Sequence, residues 1–454
     1  MTRSAILVLI ACAALLAACQ VDPITGKNTL SLYSYEDEKQ MGDENAQPII
    51  AELGGLYPDP ATQAYVDAIG QEVVTAGRTR LKEEAEFPDW DFNFYVVNTS
   101  MINAFALPGG HVFVTRGILN RLQDESELAG LLGHEVTHVF ARHGVERMSE
   151  MTLMMLPLAL LSAFEETQGV AVVGVVAVQL LTMSYGRDDE EESDHFGMRF
   201  AARAGYHPAG VIGVMQMLKD VTDEAGGGPP EFLSTHPDPG NRVAYLTEQL
   251  NKEYPNADQS TSYVRNEAQF GNAMVDMRAA QPAYDLADEG DAVMSAAFEA
   301  HNAGDQAGAD AKYREALGLY ERAAAMQPRH AILHVNVAQA QFYLGDYTQA
   351  ETTVRKALDL ESDTFWPNFM GGLIAIKAEQ NAVAQTRLNN ALELVPTSPV
   401  GLYYLAVSYD REDDQSNAAL NYRKTYHALQ GQGDLAEAAR TRLIELGEPD
   451  PAGQ

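Results

Sequence analysis

The chain is poor in cysteine, poor in positive charge, and holds no long uninterrupted apolar run. Two cysteines in 454 residues, Cys12 and Cys19, leave no disulfide framework. Only 31 lysines and arginines stand against 64 acidic residues, a formal net charge of −33. Binding phosphates needs a basic face, so nucleic acid is excluded as the main partner. Polybasic attachment to anionic lipid is excluded with it. No apolar run reaches the roughly 20 residues that a comfortable membrane span needs. What is present is 46% hydrophobic and 21% charged, which can bury large cores and is not the composition of a disordered chain. At about 150 residues per domain, the length corresponds to roughly three domains.

The amino terminus gives the first positive signal. Arg3 is followed by an apolar run from Ala5 to Ala18, the form of a secretory signal. The ending Leu16-Ala17-Ala18-Cys19 resembles a bacterial lipobox, in which cleavage precedes the cysteine and the new first residue is lipidated. The expectation is a signal peptide at 1–18 and a lipid anchor on Cys19, which places the chain on the periplasmic face of a bacterial membrane. Gln20, a residue other than Asp after the lipidated cysteine, points by resemblance to the outer membrane.

Residues about 30–85 read as helical, with an amphipathic stretch from Gln63 to Thr75. Residues 90–97 begin with strict apolar alternation and read as a strand. Residues 103–114 place a Pro-Gly-Gly turn between two apolar runs, a hairpin signal. A helix is expected from about Asp124 to Arg142. Residues 151–183 are strongly apolar but interrupted by Glu165, Glu166 and Gly169; a buried or lid-like helical pair is favoured there over a membrane-facing surface. Polar residues dominate 255–285, the expected linker. Beyond it, Ala316, Ala350, Ala384 and Ala418 recur every 34 residues, as do Ala338, Gly372 and Ala406, and Ala323, Ala357 and Ala391. Small residues at fixed positions in a 34-residue period resemble tetratricopeptide repeats, where paired helices pack most closely. The repeats are expected over 286–446, starting with a helix Asp291–Asn302 and an inserted turn at 303–310, and capped by a helix from Asp434 to Leu446, with a tail at 447–454.

Residues 134–138 read His-Glu-Val-Thr-His. On a helix, residues four apart share a face, so His134 and His138 can bind one metal ion, with Glu135 beside them to take a proton from water. A catalytic zinc site needs a third protein ligand from a later segment. The run Arg187-Asp-Asp-Glu-Glu-Glu-Ser-Asp-His195 is the richest source, and composition leaves Asp188, Asp189, Glu190, Glu191, Glu192 and Asp194 open.

These motifs resemble the zinc metalloprotease family of HtpX, the CAAX prenyl protease and BepA, which pairs HExxH with a later Glu-x-x-Ala-Asp. Glu190-Glu-Glu-Ser-Asp194 fits that pattern with Ser193 in place of Ala, and Tyr185, Arg187 and Gly197 fit its surroundings. The resemblance implies Glu190 as third ligand, Asp194 as support for a ligand histidine, and one Zn²⁺ per chain. It implies that Asn103-Ala-Phe105-Ala-Leu-Pro108-Gly109-Gly carries the substrate-docking edge. It implies that His236, in Thr-His-Pro before Arg242, can approach the open zinc position and hold the enzyme inactive. His143 reads as structural rather than as a ligand. The resemblance covers about residues 28–250, and BepA-like proteins share this order of protease and repeats.

The expected fold is an α+β zincin-type metalloprotease domain at 19–254, mostly helical with a small sheet, followed by an all-α tetratricopeptide-repeat solenoid. The expected function is a lipid-anchored zinc metalloendopeptidase that degrades misfolded or stalled outer-membrane proteins, with the repeats recruiting clients or the assembly machinery. The rival is a repeat-based chaperone or adaptor whose zinc site is normally shut.

Overall fold

The structure is a computed structural model and describes residues 19–81, 87–162, 184–225, 230–237 and 239–453. The expected signal at 1–18 and the 163–183 part of the apolar segment lie outside the described residues. No described helix is long and apolar enough to cross a membrane. The chain divides into two compact units; among the described residues, the first holds 19–46, 59–162 and 184–275, and the second 47–58 and 276–453.

The first unit opens with a short antiparallel pair, β1 (Cys19–Val21) and β2 (Asn28–Leu30), which the sequence did not announce. The helical region that follows is two helices, α1 (Tyr35–Glu52) and α2 (Pro60–Arg78). The break has a local cause. Gly54 and Gly55 adopt φ of +84° and +88°, which a side chain disfavours. Asp59 then caps α2 through the N–H groups of Ala61 and Thr62, and Pro60 opens the helix where no N–H partner is needed.

A three-stranded sheet follows, from β3 (Asn93–Val97), β4 (Ala104–Leu107) and β5 (His111–Thr115), in the order β3-β5-β4. β3 runs parallel to β5 and β4 antiparallel to it. The Pro108-Gly109-Gly110 turn needs φ of +83° and +93° at its glycines. β4 is an edge, and its register decides what the edge offers. Thr115 N–H donates to the Asn103 carbonyl. Antiparallel pairs alternate between bonded and non-bonded, so Phe105 and Leu107 also face β5. The main-chain groups of Ile102, Ala104 and Ala106 therefore point away from β5, with Ala104 fully buried and Ala106 half-buried.

Asp124 caps α4 (Glu125–Phe140) by accepting the Glu127 N–H, and acidic residues in the first turn complement the helix dipole. Every residue of α4 is buried, so it is the central helix of the unit. α5 (His143–Ser162) follows it, then α6 (Arg187–Arg203), α7 (Gly210–Ala225), the short α8 (Glu231–Thr235) and α9 (Pro239–Glu253). α4 and α6 cross at two glycines. A Cβ on Gly133 would stand 2.7 Å from the Gly197 carbonyl oxygen, so only glycine permits this approach. That contact sets the metal helix and the acidic helix at main-chain distance.

The expected linker is folded instead. The main chain of Val264 and Arg265 bonds to His207 and Glu125, and α10 (Glu267–Ala273) follows. The first helix of the second unit, α11, runs Val275–Asn302 and begins well before Asp291; only Ala303 to Asp305 separate it from α12 (Gln306–Met326). Hairpins Ala331–Tyr343/Tyr347–Leu360, Phe365–Lys377/Asn381–Leu394 and Pro399–Asp410/Gln415–Ala428 then repeat, and a helix Gly433–Glu445 ends the array. The periodic alanines are fully buried. At Gly372 a Cβ would meet Leu388 Cγ at 2.6 Å, the physical reason for a small residue in that column. The terminal stretch is held in place by Arg440, which donates to both oxygens of Asp450.

Candidate metal centre

Four side chains from three segments converge. His134 and His138 come from α4, Glu190 from the first turn of α6, and His236 from the end of α8. One donor atom from each lies within 4.8 Å of all the others, and all four residues are buried. The acidic run is resolved by helix phase. Glu190, Ser193, Asp194, Gly197 and Ala201 form the buried face of α6, while Asp188 and Glu191 are exposed.

Hydrogen bonds fix which ring nitrogens face the centre. His134 Nδ1 donates to Asp194 Oδ1 at 2.9 Å, which leaves Nε2 bare. His134 Nε2 lies 3.1 Å from His138 Nε2 and 3.3 Å from His236 Nδ1. Glu190 Oε1 is 3.5 Å from His138 Nε2 and 2.8 Å from His236 Nδ1. Ligands at about 2.0–2.2 Å around a tetrahedral ion stand about 3.3 Å apart. Two imidazoles, a third at the same range and a carboxylate, with lone pairs converging at these spacings, fit zinc.

A rigid shell surrounds the cluster. Arg242 Nε and Nη2 donate to Asp194 at 2.7 and 2.6 Å, and its Nη1 lies 2.7 Å from Glu190 Oε2. Tyr245 donates its hydroxyl to Asp194 Oδ2. The Tyr185 ring stacks on His138 at a centroid distance of 3.9 Å, and the Phe232 ring on His236 at 4.3 Å. Burial alone would raise the carboxyls of Glu190 and Asp194. His236 and Arg242 reverse this for Glu190, and Arg242 and His134 for Asp194, so both are held well below the usual range. Burial pulls His138 down, keeping it the neutral imidazole a metal requires.

Glu135 differs from its neighbours. It is fully buried, and neither carboxyl oxygen has a hydrogen-bond partner within the protein. Burial pushes its pKa up, opposed in part by His236 and His134. A carboxylate so placed readily accepts a proton.

The hairpin residues divide by role. Phe105 stacks on Phe113 toward the core, and Pro108 and Gly109 build the turn, where a Cβ on Gly109 would press on the main chain of α1 at 2.9 Å. Asn103 is buried with an unpartnered Oδ1. The side of β4 that faces away from β5 carries the main-chain groups of Ile102, Ala104 and Ala106. At Ile102 it is bonded to the segment that carries His236: Phe232 N–H donates to the Ile102 carbonyl at 3.1 Å, and Ile102 N–H to Glu231 Oε2 at 3.2 Å. Sequence reasoning missed Tyr245, although it lies one helical turn beyond Arg242. It also missed the contact of His143 Nδ1 with His138 Nδ1 at 3.0 Å.

Residues 60–250 match the model of peptidase family M48. The M48 match spans α2 through most of α9 and so contains the whole four-residue cluster. The beta-barrel assembly-enhancing protease of Yersinia pestis is 30% identical over 256 residues, 54% of this chain and 51% of that protein. The mitochondrial metalloendopeptidase OMA1 of Homo sapiens is 29% identical over 238 residues, 50% of this chain and 45% of that one. The chain spans about half the length of the curated relatives it matches. A solved structure of MamA from Desulfovibrio magneticus RS-1 aligns over 35% of this chain and 96% of that one at 19% identity, with a TM-score of 0.27, too low to carry weight.

The choice of Glu190 as third ligand is directly testable. Glu190→Gln should lower zinc affinity about 10–100-fold or more, while Glu191→Gln, on the exposed face, should leave it unchanged. Competition titration against a zinc chelator measures both, and equal losses would reopen the choice.

Proposed function

We propose that the chain is a zinc metalloendopeptidase that hydrolyses misfolded or stalled envelope proteins. The single observation that supports this most is the buried Glu135 carboxylate, without a hydrogen-bond partner, beside the convergence of His134, His138 and Glu190. Zinc held by those three residues would polarise a peptide carbonyl and acidify water toward a pKa of about 7. Glu135 takes the proton of the attacking water and passes it to the leaving nitrogen. The hydroxyl ends on the carbonyl carbon, the C–N bond breaks, and no other reactant is consumed. Asp194 holds His134 in the tautomer that points Nε2 inward, and Arg242 holds Asp194 and Glu190 ionised. The half-buried Ala106, whose main-chain groups point away from β5, suits contact with an extended substrate strand, with affinity from main-chain hydrogen bonds.

In this reading Cys19 carries a lipid that anchors the protease to the periplasmic face of the outer membrane, and the repeats recruit clients or the assembly machinery. His236 is the reversible fourth ligand. Its Nδ1 stands 2.8 Å from Glu190 and 3.3 Å from His134 Nε2, in the place a substrate carbonyl would need. That same position favours the second reading, an adaptor whose centre rests shut.

The zinc-loaded protein should cleave an unfolded outer-membrane β-barrel protein. A strong chelator should abolish cleavage, and one equivalent of zinc should restore it. Cleavage that persists undiminished after the metal is stripped would defeat the proposal.

A further inference from the structure

His143 sits at the metal centre without being one of its ligands. It lies five residues after His138. In an unbroken α-helix that spacing would turn it about 140° away from His138. Here α4 ends at Phe140, and Arg142 adopts a left-handed φ of +64° before α5 begins. That conformation is held from outside the helix. Arg142 donates to Glu38 Oε1 at 2.6 Å, to the Tyr33 carbonyl at 2.9 Å and to Ser31 Oγ at 3.2 Å, and its guanidinium lies 4.2 Å from the centre of the Tyr35 ring. The turn folds His143 back until its Nδ1 is 3.0 Å from His138 Nδ1.

Two facing ring nitrogens at that distance admit one hydrogen between them. If His138 is to offer Nε2 to an ion, its own proton must be on Nδ1. His143 Nδ1 must then be bare, and its proton must sit on Nε2. The surroundings agree with that assignment. Ser193 Oγ lies 3.4 Å from the same His143 Nδ1 and can donate to it, and His143 Nε2 faces Glu192 Oε1 at 3.8 Å. Ligand His134 has a carboxylate, Asp194, in this supporting role; ligand His138 has a neutral acceptor instead.

We propose that His143 is a positioning residue for the metal centre: its bare Nδ1 accepts the Nδ1–H of His138 and so aims His138 Nε2 at the ion. The proposal rests on the zinc reading above. The test separates the two by first asking whether the parent protein binds one zinc; if it binds none, it is the zinc reading that fails. In His143→Leu the acceptor is lost, and zinc affinity should fall about 10–100-fold, whereas His143→Asn, which can place an amide oxygen near the lost Nδ1, should stay within about threefold of the parent. With cobalt in place of zinc, the visible absorption bands should shift in the Leu protein and overlay the parent in the Asn protein. A Leu protein with parental affinity and parental cobalt spectrum overturns the proposal, as does an Asn protein as impaired as the Leu one. Should the Leu protein fail to fold, nitrogen-15 NMR of the zinc-loaded parent decides: His143 is expected as the Nε2–H tautomer, and finding it as Nδ1–H overturns the proposal.

Discussion

Glu135→Gln should keep its zinc and lose its catalysis. The substitution is nearly isosteric and removes only the ability to carry a proton, so kcat/KM on an unfolded substrate should drop about 10²–10⁴-fold, the usual contribution of a general acid–base group. Zinc affinity should hardly move, because Glu135 makes no hydrogen bond to any ligand. Metal content and peptide hydrolysis measured on the same preparation check both halves. The variant also separates protease from adaptor. If the protein's work in the cell survives the substitution, recruitment by the repeats is the function and cleavage is secondary. If it is lost while clients stay bound, the trapped clients identify the substrates.

Arg242→Leu should be the most destabilising single change in the first unit. Arg242 is the cation that faces Asp194 through two nitrogens and Glu190 through the third. Its removal leaves two buried carboxylates without that charge. Breaking a buried pair in this way costs about 3–5 kcal/mol, because the residual charges have no water to return to. The two tryptophans make the measurement clean, since Trp90 belongs to the first unit and Trp366 to the second. Denaturant unfolding followed by Trp90 fluorescence in a Trp366→Phe background should show the loss, and saturating zinc should recover part of it by binding the folded state alone. An unfolding midpoint equal to that of the parent would mean that Asp194 and Glu190 are stabilised by something other than this guanidinium.

Features that depend on local period were readable in the sequence. The spacing of His134 and His138 and the 34-residue columns are properties of one helix or one repeat, and the structure places both as the pattern demands. The acidic run was harder. Composition left its phase open; in the structure Ser193, Gly197 and Ala201 share the buried face of α6 with Glu190 and Asp194. What stayed hidden depends on contacts distant in sequence. Arg142 takes a left-handed turn because Glu38, Ser31 and the Tyr33 carbonyl hold it there, over a hundred residues away, and no periodicity announces such a turn. The folded 255–275 segment was misread because polar composition hides main-chain bonds, such as that from His207 N–H to the Val264 carbonyl. The register of β4 was hidden for the same reason: it turns the main chain of Ala104 and Ala106 away from β5, and Ala104 is fully buried all the same.

If substrate pairs with β4, as proposed, selection falls to the main chain. A strand edge made of peptide N–H and C=O groups is blind to amino-acid identity, because every residue but proline carries both. What it can discriminate is whether a visiting strand's own peptide groups are still unspent. A β-barrel that has closed has satisfied them on both sides and offers nothing to bind, while a barrel halted part-way retains a raw seam. A protease that docks its substrate along β4, as proposed, would thus measure the age of an assembly intermediate by its unsealed edge, and would need no recognition sequence to tell a finished client from an abandoned one.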